Sequence, residues 1–276
     1  LNLRIIVHPS FSIQYFRNID FLKHVQIFHG TSDKPFNFHR SLGRYDLIAV
    51  PGRKMKVDII KRGLASEEKI VEIGYPKIDY FFHSAFDEYK FKDKMGLDRR
   101  KKTILYCPTW DDPDRYSSFK KFIGSILSTL KDYNVLIKPH PNLFKYRPWL
   151  ILYTFLFKKK NCFLYPGNQS ILPLMKVSDL MMTDISSVSH EYLPFMKPMI
   201  FLAPKPIDEI PAEHRWIWHC GDVVETPGKL RDIVDMNMKD PDRYKSKREK
   251  ALMEIFLDFD GKSALRFKKA IEKLIK

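Results

Sequence analysis

The chain has 276 residues, a formal net charge of +15 and 44% hydrophobic residues. That hydrophobic share supports a packed core and excludes global disorder, and the length suits one large or two ordinary domains. The positive excess implies an anionic neighbour, either a membrane surface or phosphorylated substrates; with no basic tail, zinc-finger spacing or RNP-like motif, sequence-specific nucleic-acid binding is not expected.

The chain opens with Leu1 rather than Met, and "LNLRIIVHPS" reads as a strand rather than a signal peptide, so either a fragment or an edited sequence is expected. Short β-like runs follow at 3–8, 24–30, 45–52 and 69–76, each ending at Gly or Pro or turning there, with a helically spaced segment over 53–64. The charged stretch 86–102 then separates a second series. Its strands are expected at 102–108, 134–141, 161–167, 179–184 and 197–204, with helices near 115–131, 142–157, 171–178 and 186–196. From about 229 onward the tail reads as helical, basic and amphipathic. Strands apolar throughout, alternating with helices, predict parallel sheets covered on both faces. The expectation is an α/β protein of two Rossmann-like domains, 1–95 and 96–276, the second including the helical tail. Cys107, Cys162 and Cys220 are isolated, without a CxxC, and read as small buried hydrophobes in a reducing compartment. No apolar run reaches the roughly 18–20 residues that a bilayer span needs.

Ligands of open α/β sheets bind beyond the carboxyl ends of the strands, so the residues following each strand carry the functional expectations. His29 ends an apolar run and precedes Gly30 and Thr31. It reads either as a general base in a cleft or as a strand-ending histidine bonded to a backbone carbonyl. In "KPHP", Lys138 and His140 end a strand and are stiffened by Pro139 and Pro141, an arrangement suited to a phosphate or pyrophosphate. "TDISS" places Thr183, Asp184, Ser186 and Ser187 between a strand and a helix. One N-cap residue would suffice there, whereas several hydroxyls beside free N–H groups make an anion site. Glu191, about a turn further, is placed to accept bonds from ribose hydroxyls, and His190 is expected at the surface. Weaker signals are Thr109 as a phosphate contact, Lys77 as added charge, Asp79 as an orienting carboxylate and Arg215 as a phosphate fork. The segment 146–160 joins an aromatic, aliphatic stretch to three lysines. It reads either as a membrane-interface helix carrying Trp149, Phe155 and Phe157 or as a buried helix ending in a solvated face.

In order and spacing, "HGT", "GYPKID", "YCPTW", "KPHP", "TDISSV…E…KP" and the late arginine resemble the CDP-glycerol glycerophosphotransferase family of teichoic-acid and capsule polyol-phosphate transferases. The resemblance runs from roughly residue 24 to 232. It implies a GT-B-like fold, with two Rossmann-type domains facing each other across a cleft and the donor held mainly by the C-terminal one. It implies transfer of glycerol phosphate or ribitol phosphate from a CDP-linked donor to a hydroxyl of a lipid-linked or polymeric acceptor, with release of CMP. By the same resemblance, His29 matches the catalytic base and His140 the histidine near the donor pyrophosphate. Thr183, Asp184, Ser186, Ser187 and Glu191 match the donor segment, and Arg215 the late arginine. No cofactor and no metal are expected. The resemblance also implies a cytoplasmic protein, peripheral to the inner face of the cell membrane and in contact with its anionic surface. Three positions depart from the family pattern: Asp111 stands where many relatives have Arg, Lys77 where Arg is usual, and Ile185 where Tyr is usual. The alternatives are a nucleotide-sugar glycosyltransferase or epimerase on the same scaffold, and a non-catalytic module that binds anionic polymer or membrane.

Overall fold

The computed structural model describes residues 4–16, 21–31, 34, 37–165 and 169–276. It divides into two compact units, Leu1–Ala85 with Lys250–Lys276, and Phe86–Glu249.

The first unit is built on a four-stranded sheet in the order β1-β2-β3-β4, formed by Ile5–His8, Lys23–Ile27, Leu47–Val50 and Ile70–Glu72. Every pairing is parallel. Central strand β3 is buried along its whole length, as expected for a parallel sheet covered on both faces. The predicted strand 69–76 ends early for a local reason. Gly74 takes φ 83°, which glycine adopts without a Cβ penalty, and Pro76 opens the helix Pro76–Phe82 at a position where its missing N–H costs nothing.

Of the helical tail, expected with the C-terminal domain, the helix Leu230–Lys239 stays with the second unit, while residues 250–276 lie with the first. Their attachment is polar and specific: the buried Asp79 carboxylate accepts from the amides of Gly261 at 2.8 Å and Ser263 at 2.9 Å. Leu257 N–H also donates to the Pro51 carbonyl at 2.9 Å. Burial by itself would raise the Asp79 carboxyl pKa, but the amide donors of Ser263 and Gly261, together with nearby His83, outweigh it and hold it below the usual value. A carboxyl lowered on folding stabilises above its unfolded pKa, and that contribution disappears as pH falls through the lowered folded value. Asp79→Ala removes the acceptor and leaves two amides unpaired, at an expected cost of about 2–4 kcal/mol. Urea unfolding and limited proteolysis check this; unchanged stability with no new cleavage within 250–276 would contradict it.

The second unit carries a six-stranded sheet in the order β10-β9-β8-β5-β6-β7. Its strands are β5 Thr103–Cys107, β6 Asn134–Ile137, β7 Cys162–Leu164, β8 Leu180–Thr183, β9 Met199–Leu202 and β10 Asp222–Val224. All pairings are parallel. The helix Phe119–Thr129 buries Phe119, Phe122, Ile123, Ile126 and Leu127 on one face, which is the spacing of an amphipathic helix. These side chains join Ile104, Tyr106, Val135, Ile137 and Leu180 in one core.

Strand β10 was not among the sequence expectations. It has only three residues and lacks a long apolar run. Gly221 is what lets it begin: a Cβ there would lie 2.0 Å from the Met199 carbonyl oxygen of β9. The expected helix over 142–157 is two helices, Pro141–Tyr146 and Pro148–Phe157. Arg147 between them sits at φ −138°, ψ 51°, because a residue preceding proline is pushed out of the α region. The three cysteines are free and buried. Leu3 and residues 166–167, at the ends of two predicted strands, lie outside the described residues.

Candidate functional site

Strand order in the second sheet reverses between β5 and β8, so the chains leaving these neighbouring strands diverge and open a crevice at their carboxyl ends. Two expected donor-binding residues brace that crevice. Thr183 is fully buried, and its hydroxyl donates to the Cys107 carbonyl at 2.7 Å. Asp184 is fully buried as well. Its carboxylate accepts from Thr109 N–H at 2.9 and 3.2 Å, and from the N–H and hydroxyl of Ser118, both at 2.8 Å. Asp184 thus joins the loop after β8 to the loop after β5, and Thr109 contributes its backbone to this joint. Ser118 was not anticipated; its only sequence signal is a double serine ahead of a helix.

Ser186 and Ser187, which follow Asp184, remain half-exposed. Ser187 directly precedes the short helix Val188–Tyr192. His190, expected at the surface, is only 3% exposed, and so is Glu191. The reason is local: neighbouring Tyr192 is fully buried, with its hydroxyl 3.0 Å from that of Ser178, so this helix is packed on most of its faces.

Lys138 continues β6, with its N–H donating to the Tyr106 carbonyl at 2.8 Å, and is itself buried. Burial lowers its pKa. Burial likewise pushes the Cys107 thiol well up; the Lys138 charge opposes that shift while Asp184 and Glu191 add to it. One cation and two carboxylates therefore converge on the carboxyl end of β5.

The hydrogen bonds of two histidines fix which ring nitrogen carries a proton. His140 caps the helix Pro141–Tyr146, its Nδ1 accepting from Asn142 N–H at 3.2 Å. In the neutral ring the proton is then on Nε2, which makes that nitrogen a donor. His29 lies just beyond β2 in the first unit and is exposed. Its Nδ1 is 2.7 Å from the Pro9 carbonyl oxygen. Because a carbonyl only accepts, Nδ1 carries a proton, and in the neutral ring Nε2 then holds the lone pair. The carbonyl-bonded histidine foreseen as the plain alternative is thus also the tautomer that a general base requires. The Tyr75 hydroxyl donates to the His29 carbonyl at 2.9 Å and holds its backbone. Tyr75 and Pro9 were not singled out from the sequence, although both stand in strand-ending motifs, "GYP" and "HPS". Gly30 is half-buried and Thr31 is buried beside His29.

Around His140, the Trp110 ring lies 6.5 Å from the histidine and 5.7 Å from the Tyr146 ring. Asp111 forms an ion pair with Arg147, so the carboxylate that departs from the family pattern has a cationic partner. Arg215 sits at a kink with φ −120°, ψ 23°, and its Nε donates to the Ile210 carbonyl at 3.0 Å. Among the described residues, no cluster of three or more His, Cys, Asp or Glu side chains is arranged to hold a metal ion. No helix among them is long and apolar enough to cross a membrane.

With the geometry established, comparison with known proteins places the chain. The family model described as CDP-Glycerol:Poly(glycerophosphate) glycerophosphotransferase matches residues 4–273. The teichoic acid poly(glycerol phosphate) polymerase of Bacillus spizizenii is 25% identical over 192 residues, covering 63% of this chain and 45% of that protein. The teichoic acid poly(ribitol-phosphate) polymerase of the same organism is 26% identical over 207 residues, covering 72% of this chain and 33% of that protein. The chain therefore spans less than half the length of these curated relatives. A solved structure of a variant of the wall teichoic acid polymerase TagF superposes with a TM-score of 0.70 at 21% identity, covering 99% of this chain and 74% of that one. This likeness establishes the fold as α/β and GT-B-like.

Proposed function

Since the chain belongs to the CDP-glycerol:poly(glycerophosphate) glycerophosphotransferase family, we propose that it transfers a polyol phosphate from a CDP-linked donor to a hydroxyl of a polymeric or lipid-linked acceptor. The observation that carries this reading is the opposite hydrogen-bonding state of the two histidines. In their neutral forms His29 carries its proton on Nδ1 and its lone pair on Nε2, whereas His140 carries its proton on Nε2, the tautomers that suit proton abstraction and anion stabilisation respectively.

The acceptor hydroxyl gives its proton to His29 Nε2 as its oxygen bonds to the phosphorus bearing the polyol. The bond from that phosphorus to the bridging oxygen breaks, and CMP leaves with the electron pair. Charge growing on the leaving phosphate is met by the His140 N–H, the Lys138 ammonium and the hydroxyls and amides at Ser186 and Ser187. Thr183, Asp184 and Thr109 support this site through the brace between β5 and β8. Glu191 serves the ribose and Arg215 a phosphate oxygen. Gly30 and Thr31 shape the backbone beside the base.

The polyol is glycerol or ribitol, since curated relatives of both kinds match the chain. Incubation with CDP-glycerol, CDP-ribitol and a panel of nucleotide sugars tests the reading directly. CMP release with at least one CDP-polyol is expected; turnover of nucleotide sugars alone would replace this reaction with glycosyl transfer.

The same reading puts the protein at the inner face of the cell membrane, where a lipid-linked acceptor would be presented. Support comes from the helix Pro148–Phe157, on which Trp149, Leu152, Phe155, Leu156 and Phe157 are all more than half exposed. Lys158, Lys159 and Lys160 follow it and are exposed too. A helix that only covered a sheet would bury these side chains.

A further inference from the structure

Beside that helix, within the second unit, is a cavity of about 580 Å³ lined by Arg115, Ser117, Lys120, Lys121, Arg147 and Trp149. We propose that it receives the phosphate of an anionic phospholipid headgroup while the helix Pro148–Phe157 enters the acyl boundary. The inference rests on the membrane part of the reading above and is independent of the donor chemistry.

Charge points to the ligand class. Four cations line the cavity against a single carboxylate, Asp111, which Arg147 already pairs. Among the described residues, Arg115 and Lys120 have no ion-pair partner, and both are exposed. Lys121 is held in place by a 3.0 Å bond from its ammonium to the Ala203 carbonyl. The helix Phe119–Thr129 starts at this wall, so the positive end of its dipole adds to the same field. Arg115 itself takes φ 56°, a conformation that a non-glycine residue rarely adopts.

Position singles out a lipid rather than a free anion. Trp149 and Leu150 belong both to the cavity wall and to the exposed apolar helix, so a bound phosphate lies where the apolar surface begins. A tryptophan between a polar pocket and an apolar face suits the membrane interface, where one end is wet and the other is not. The lysines at 158–160 meet the same anionic surface at the far end of the helix. The cavity thereby provides recognition of the headgroup where the helix alone provides only insertion.

Co-sedimentation of the full chain with phosphatidylcholine vesicles, with and without phosphatidylglycerol, tests the proposal. Arg115→Glu combined with Lys120→Glu is expected to weaken binding to the anionic vesicles at least about tenfold. Reversing two exposed lysines outside the cavity, Lys229→Glu with Lys239→Glu, changes net charge equally and is expected to weaken it far less. Phe155→Ser with Leu156→Ser is expected to abolish binding to both kinds of vesicle. Equal losses in the cavity and control pairs would overturn the site in favour of diffuse attraction, as would wild-type binding by the cavity pair. Soluble poly(glycerol phosphate) that binds the wild type but not the cavity pair, with vesicle binding unaffected, would reassign the cavity to the polymer. CMP release on a soluble acceptor, measured on the same variants, reports separately on the transferase reading and is expected to be retained.

Discussion

Replacing His29 by alanine is expected to reduce kcat by roughly 10²–10⁴-fold, the usual contribution of a positioned general base, while leaving the affinity for the CDP-linked donor unchanged. The expectation follows from the ring's fixed tautomer: Nδ1 is committed to the Pro9 carbonyl, so Nε2 alone takes the proton. Asparagine at the same position keeps a polar side chain but supplies no base, and its loss should match that of alanine. Tyr75→Phe removes the hydroxyl that anchors the His29 carbonyl. It should lower kcat less, because the ring stays in place while its backbone loosens. Steady-state kinetics with a saturating acceptor, together with donor titration by calorimetry, separates these effects. Full turnover by the alanine variant would remove His29 from the mechanism without affecting the family assignment.

Asp184→Ala is expected to be the most destabilising single change in the second unit. The carboxylate accepts from Thr109 N–H and from both the N–H and the hydroxyl of Ser118, in a region closed to solvent. Its removal strands these donors, at an expected cost of about 3–5 kcal/mol. For a unit of this size that corresponds to a melting temperature lower by roughly 10 °C. Asp184→Asn retains one acceptor oxygen and should fall between the two. Calorimetric melting alongside donor titration gives a clear discrimination. An asparagine variant that melts like the wild type but no longer binds donor would make Asp184 a ligand rather than a brace.

The alternation of apolar runs and helical spacing disclosed the parallel sheets, because strands buried on both faces are mostly apolar, as β5, β6, β8 and β9 are: each is buried along its whole length, with a polar residue only at one end of β5, β6 and β8. β10 escaped because it is a three-residue edge strand, which is too short to show a period. The attachment of the tail escaped for a different reason. It depends on Asp79 meeting amides far along the chain, and no local pattern encodes such a meeting. In the candidate site, residue types at strand ends singled out His29, Lys138 and His140, and the structure places each of them just beyond a strand. The sequence did not disclose the direction in which polar side chains point: Thr183 and Asp184 carry the groups of an anion site, yet turn them into the fold. Burial of His190 was equally hidden, because histidine is at home both inside and outside proteins.

The proline junction at Arg147–Pro148 has a mechanical consequence. A continuous helix from His140 to Lys158 would act as a rigid lever, carrying any tilt or thermal agitation of its exposed half straight to the histidine at its other end. Arg147 lies outside helical geometry, so the two helices are separate rigid pieces and a tilt of one is not carried whole into the other. A segment that enters a membrane, as proposed above, would then be able to tilt without disturbing the register of β6 with β5.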